Sequence, residues 1–394
     1  MRYASAMFRE FKTVWLLVLI AGMGVSVPPL MLLIGGIVGS TMAPSARWAT
    51  MPIALMIVGT ACAVLPVTRC MARLGRRMTF VIFFGVGCAA CLLAGEALAR
   101  SSFVLFCLAG ALIGATNAAL QQARFAAMES VPVAQASTAA SIIMCSGLIA
   151  AFLGPEMAVW GRSLSAVEYQ GSFWLGGGCF AIAGALVVFY RPKATLPASL
   201  SDKPARSVKE MLHSRTLVVA IAAGAIAFIV MTFVMTATPI SMHLHHGHSL
   251  EDTKFVIQSH IAAMFLPSLL TAWLFRLLHI RGVMIAGLLC YAAMIIIGLY
   301  DVSVVGFWGQ LVMLGIGWNF LFVSGTALLP TTHSEGERFK AQGLNDSVVF
   351  SAQAIASLLA GWAMSLIDWQ SLLLLCLAPM VMMVVALFWH REPL

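Results

Sequence analysis

The chain has 394 residues, of which 61% are hydrophobic and only 10% charged. Soluble domains carry roughly 25% charged residues, so this composition excludes an ordinary soluble enzyme and points to an all-α integral membrane protein. The formal net charge of +8 comes with no basic patch interleaved with aromatics, which argues against a nucleic-acid partner.

Apolar stretches of about 20 residues, the length a helix needs to cross ~30 Å of hydrocarbon, recur along the whole chain. They predict spans near 13–39, 47–68, 78–98, 102–123, 137–158, 172–190, 216–241, 253–275, 282–300, 304–329, 345–367 and 371–390. The first is too long for the apolar core of a signal peptide and reads as a retained span. The nine Cys sit nearly all inside apolar runs, including the CxxC pair Cys88 and Cys91. Core packing is the reading for them, because no loop framework exists to be stapled.

With the N-terminus inside, only Arg47, Arg100, Arg162 and Lys254 of the 23 basic residues fall on the outer side. That bias predicts an inner-membrane protein with both termini in the cytoplasm and an even number of spans. The longest polar stretch, "RPKATLPASLSDKPARSVKEMLHSR", divides the spans six and six. It predicts an N-terminal bundle over 1–190, a cytoplasmic linker over 191–215 and a C-terminal bundle over 216–394. A faint repeat crosses the linker: "RLGRRMTFVIFFGVGCAAC" starts at Arg73 and "RLLHIRGVMIAGLLCYAAM" at Arg276, with Asn117 and Asn319 following at nearly the same offset. Two six-helix halves related by a parallel repeat are a transporter architecture.

Between spans two and three, "ARLGRR" (72–77) resembles the signature loop of the major facilitator superfamily. Arg73, Gly75, Arg76 and Arg77 match the pattern, while Thr68 and Ala72 stand where it has Gly and Asp. The resemblance implies the major facilitator fold, twelve transmembrane helices in two six-helix bundles, and a transporter rather than an enzyme.

In span seven "MTFVM" places Met231 and Met235 one turn apart, and in span eight "HIAAM" does the same for His260 and Met264. If the two spans lie side by side, Met235 pairs in depth with His260 about 10 Å from the outer loop, and Met231 with Met264 about 15 Å in. Thioether and imidazole together suit copper. A Met pair at this spacing is also ordinary apolar packing in a chain with 24 Met, so the weight falls on His260, an ionisable group within a span. Between the spans, "MHLHHGH" holds Met242, His243, His245, His246 and His248, a candidate outer metal-capture group or a solvated loop.

MxxxM on span seven with HxxxM on span eight resembles the CcoA-type bacterial copper importers. That resemblance implies copper import across the inner membrane, supplying haem–copper oxidase assembly, with Met231, Met235, His260 and Met264 as the copper residues. It further implies copper as transported substrate with no cofactor, membrane lipids and a cytoplasmic or periplasmic copper carrier as partners, and a monomer. The competing expectation is a proton-coupled exporter of a small organic compound, whose apolar cavity the Met side chains would line. A third is a membrane copper sensor that binds without flux.

Overall fold

The structure, a computed structural model, describes residues 11–132, 135, 139, 142–191, 206–334 and 337–390, and every regular element among them is helical. Twelve long helices follow in order: α1 Lys12–Met42, α2 Ala46–Met71, α3 Arg73–Ala99, α4 Phe103–Glu129, α5 Cys145–Trp160, α6 Gln170–Val187, α7 Arg215–His245, α8 Leu250–Phe265, α9 Thr271–Tyr300, α10 Val304–Leu328, α11 Arg338–Met364 and α12 Trp369–Trp389. Ten of these regions hold a helix long and apolar enough to cross a membrane. The other two, α5 and α8, are 16 residues each. The expected fifth span began at 137, and residues 137, 138, 140 and 141 lie outside the described residues.

The chain divides into two compact units, Met1–Leu196 and Pro197–Leu394. Of the expected linker, residues 192–205 lie outside the described residues, as do Arg2, Arg9 and Arg391.

In the first unit, α2 and α4 approach to backbone contact. A Cβ at Gly114 would run into the carbonyl oxygen of Met56, so only Gly fits there. The buried Thr60 hydroxyl is shared between the Met56 carbonyl of its own helix and, across this seam, the Gly114 carbonyl, both at 3.0 Å. The α2–α3 corner turns at Gly75, whose φ of 78° lies in the region where a side chain is strained.

In the second unit, α10 lies between α7 and α8. Gly315 of α10 faces the α8 backbone, where an added Cβ would stand 2.7 Å from the His260 carbonyl oxygen. Gly325 faces α7 in the same way, 2.7 Å from the Ala220 carbonyl oxygen. Two small residues, ten apart along one helix, thus let it approach both neighbours closely.

Three sequence expectations are corrected here. The seventh span does not end at 241: Pro239 interrupts its hydrogen bonding, and a π-helical turn, Ile240–His245, carries it on, so His243 and His245 sit on the helix end. The eighth span is not one uniform helix. It breaks at Leu266–Leu269, beside Pro267, and is completed by residues 271–278 before the chain turns at His279. Finally, α7 and α8 do not lie side by side; among the described residues they touch only near their connecting turn, and each packs along α10.

Candidate functional site

The second unit gathers five aromatic rings from four helices. Trp318 and Phe322 of α10, one turn apart, stack at 4.8 Å and 17°. Phe228 of α7 stands edge-on to both, at 5.3 and 5.5 Å, and to Phe350 of α11 at 6.3 Å. Phe265 of α8 meets Trp318 edge-on at 6.3 Å. Trp318 is buried, whereas Phe228, Phe265, Phe322 and Phe350 are only half-buried, so the cluster keeps an open side.

Polar atoms with no partner among the described residues lie on the same two helices, α8 and α10. The His260 ring is buried, and its Nδ1 lies 2.8 Å from the carbonyl oxygen of Leu311. A carbonyl only accepts, so Nδ1 carries the proton and Nε2 presents a lone pair. That lone pair meets no partner, and neither do Trp318 Nε1, Asn319 Oδ1 and Ser324 Oγ. Asn319 is nonetheless held firmly: its Nδ2 donates to the Met264 carbonyl at 2.7 Å and to Ser268 Oγ at 2.6 Å, which fixes where Oδ1 points. Each unmet buried polar atom costs about 1–3 kcal/mol, so each marks a group whose pairing a bound molecule or water can complete; His260 lies level with Leu311 of α10 and Ser324 well further along that helix. The set offers two lone-pair acceptors, one indole donor and one hydroxyl, next to flat aromatic surface.

The predicted copper residues fall partly within this region. Met231 and Met235 are buried on α7, one and two turns beyond Phe228; His260 is buried and Met264 half-buried on α8. The two-rung pairing required α7 against α8, whereas among the described residues both helices pack chiefly along α10. The outer histidines serve their own backbone. His243 Nδ1 lies 2.9 Å from the His248 carbonyl oxygen, His246 Nδ1 2.9 Å from that of Ser241, and His248 Nε2 2.8 Å from that of Val302. The rings of His246 and His248 stack at 6.3 Å with their faces on the edge of Phe307, and Met242 is fully buried. Among the described residues no three His, Cys, Asp or Glu side chains gather where one metal ion would be held.

At the signature loop, Arg76 grips Glu129 at the end of α4 with both arms of its guanidinium, Nε to Oε2 at 2.8 Å and Nη2 to Oε1 at 2.6 Å. Arg73 and Arg77 are exposed. Sequence reasoning missed Glu129, the carboxylate that anchors the loop where the pattern's Asp is Ala72. It also missed Phe228, Phe322 and Phe350. The one available signal was Trp318 beside Asn319 with Phe322 a turn later, a polar pair embedded in an apolar run.

The Major Facilitator Superfamily model matches residues 14–332. A riboflavin transporter of Brucella anthropi is 33% identical over 387 residues, 97% of this chain and 96% of that protein. An uncharacterized MFS-type transporter of Bacillus subtilis, YddS, is 31% identical over 361 residues, 86% of this chain and 81% of that protein. Among solved structures, a bacterial homolog to the human lysosomal transporter Spinster, inward-facing and unoccupied, superposes with a TM-score of 0.72 at 13% identity over 96% of both chains. The nucleoside transporter NupG does so with a TM-score of 0.72 at 11% identity, over 96% of this chain and 100% of that one.

Proposed function

The chain belongs to the major facilitator superfamily, and from that premise we propose that it carries a flat, polar heteroaromatic solute of the riboflavin class across a bacterial inner membrane by alternating access. The observation that carries this reading is the half-open aromatic cluster of α7, α8, α10 and α11, with unpartnered polar atoms on its own Trp318, on the adjoining Asn319 and on His260 of α8. A fused heteroaromatic ring offers two faces to stack and a rim of N–H donors and carbonyl acceptors. Phe228, Trp318 and Phe322 supply the faces, Asn319 Oδ1 and His260 Nε2 accept from the rim, and Trp318 Nε1 donates to it. The relative that resembles this chain over nearly its whole length is named for riboflavin, and riboflavin has this chemistry.

The test is uptake of radiolabelled riboflavin by proteoliposomes, comparing wild type with Trp318→Ala at matched reconstitution. Saturable uptake that the substitution abolishes supports the reading. Uptake no higher than in empty vesicles, or uptake untouched by the substitution, defeats it.

One observation favours a second reading, copper import. The His260 ring is fixed through Nδ1 to a backbone carbonyl with Nε2 bare, the arrangement usual for a metal-ligating imidazole. Met264 lies one turn along α8, and Met231 and Met235 lie on α7 as in the copper importers the motifs resemble. In the same vesicles loaded with a fluorescent copper chelator, copper entry that His260→Ala and Met235→Leu both remove, with riboflavin ignored, would establish this reading instead.

A further inference from the structure

The side of α7 that carries Ile229, Val230 and Phe233 borders a second concavity, away from the aromatic cluster. Here α7, α11 and α12 enclose a groove of about 480 Å³, walled almost entirely by apolar side chains. Its depth comes from a break in α12. That helix stops at Leu375 and restarts at Leu377, with Pro379 in the restarted turn. Proline has no N–H to give the Leu375 carbonyl, so the ladder opens and the two segments part. Small residues, Ala352 and Ala356 on α11 and Ala378 on α12, then leave the space beside Phe233 unfilled.

We propose that this groove is a binding site for one acyl chain of a membrane phospholipid. The residues lining it all belong to membrane-crossing helices, and it is continuous with their outward apolar surface, where Ile355, Trp362 and Met382 are 58%, 52% and 66% exposed. Hydrocarbon is therefore what surrounds it. Water is excluded, because a water molecule needs two to four polar partners and the walls offer almost none. An empty groove would forfeit the dispersion contacts of every wall atom, which a flexible chain regains by filling an irregular shape. A volume of this order is that of a ligand pocket rather than a shallow surface dip. The recognised part is the chain and not the headgroup, since no charged side chain lines the groove and its only polar side-chain atoms are the Trp362 indole N–H and the Cys376 thiol. Trp362, near the end of α11, marks the membrane level of the chain's ester end, because indole rings favour the interface.

Photolabelling tests this without reference to the transported solute. The full-length protein is placed in nanodiscs doped with a phosphatidylcholine carrying a mid-chain diazirine, illuminated, and mapped by peptide mass spectrometry. Ordinary lipid contacts on α9, where Leu289 and Ile296 are exposed, serve as the internal reference. Groove peptides should label several-fold above α9 and saturate at low mole fraction of the probe. Ala352→Phe and Ala378→Phe, placed on different helices so that either one alone decides, should each remove the excess and leave α9 labelling and the melting temperature unchanged. Labelling equal to α9, or excess labelling that persists in a folded filled variant, overturns the proposal. So does protection of the groove by a cross-linked second copy of the chain.

Discussion

In the first unit Phe80, Phe84, Phe180 and Tyr190 form a chain of rings with neighbouring centroids 6.0 to 6.3 Å apart, none more than 2% exposed. In the second unit Phe228, Trp318, Phe322, Phe350 and Phe265 pack at similar distances, yet four of the five rings stay half-buried and unpartnered polar atoms lie alongside. Ring contacts alone therefore do not distinguish structural packing from a binding surface. What distinguishes them is whether the polar atoms nearby are already paired and whether the rings keep a free face. By that criterion the first cluster is core and the second is a site.

Substitution separates the two most sharply. Phe84→Ala empties a sealed core position and should destabilise the first unit by about 3–5 kcal/mol, read as a large fall in melting temperature, with riboflavin affinity unchanged in the surviving folded protein. Trp318→Ala also removes a buried ring and should lower the melting temperature, but it should in addition cost affinity. Stacking of a flat ring on one aromatic side chain is worth about 1–3 kcal/mol, so affinity should weaken by about 10–100-fold, measured by quenching of riboflavin fluorescence. Equal effects of the two substitutions on affinity would erase the distinction between the clusters.

Ser324 allows a finer cut. Its hydroxyl has no partner in the unliganded protein, so Ser324→Ala removes an unmet group and should leave the melting temperature level or slightly raised. If the hydroxyl completes its pairing with solute, the same change should lower affinity by about 2–10-fold, the worth of one hydrogen bond of about 0.5–1.5 kcal/mol. A fall in melting temperature with unchanged affinity would make Ser324 structural.

The units also differ in their polar latches. In the first, Arg76 holds Glu129 between two helices. In the second, Arg206 holds Glu337 through its backbone N–H at 2.9 Å and its guanidinium at 2.7 Å, and Lys340 Nζ donates to the Arg206 carbonyl at 2.6 Å. The Arg206 guanidinium, with help from the Ser334 and Arg206 backbone N–H groups, holds the Glu337 carboxyl far below the ordinary carboxylate range. A carboxyl depressed in the folded state stabilises above its unfolded pKa, near 4.3, and loses that contribution only as pH falls toward the depressed value. Glu337→Gln should therefore lower the melting temperature by the same amount at pH 8 and at pH 5. A penalty that stays constant as pH is lowered well below 4 would show that the carboxyl is not held down.

Much of the fold was legible because hydrocarbon demands long apolar helices: the all-helical class and the succession of apolar spans follow from local sequence. The site was less so. Met231, Met235, His260 and Met264 were placed correctly on their helices, but whether they meet depends on α10, which arrives some fifty residues later and fits because of Gly315 and Gly325. Helical periodicity reports which residues share a face and says nothing of which helix that face meets. The outer histidines are positioned by contacts that the sequence does not show. Their ring nitrogens satisfy carbonyls of a π turn and of the α9–α10 loop, and only the folded backbone presents those.

The corners give the smallest and cleanest contrast. The α2–α3 corner turns at Gly75 with φ 78° and ψ 163°, and the corner completing the eighth span turns at His279 with φ 57° and ψ 169°. Both backbones occupy a region that a side chain enters only with strain of about 1–3 kcal/mol, so one unit uses the residue suited to it and the other tolerates an exposed His. A Cβ at Gly75 would meet nothing within 4 Å, so the penalty for adding one is conformational and not a clash. Gly75→Ala should then destabilise by about 1 kcal/mol or somewhat more. His279→Gly relieves the strain but gives the unfolded chain more freedom, which takes back about 0.5–1 kcal/mol, leaving a gain of about 0–2.5 kcal/mol. Opposite signs in the two melting shifts would show that the corners share one backbone geometry and differ only in how well their residue fits it. A loss at both would mean that the His279 ring holds its corner through contacts that outweigh the strain.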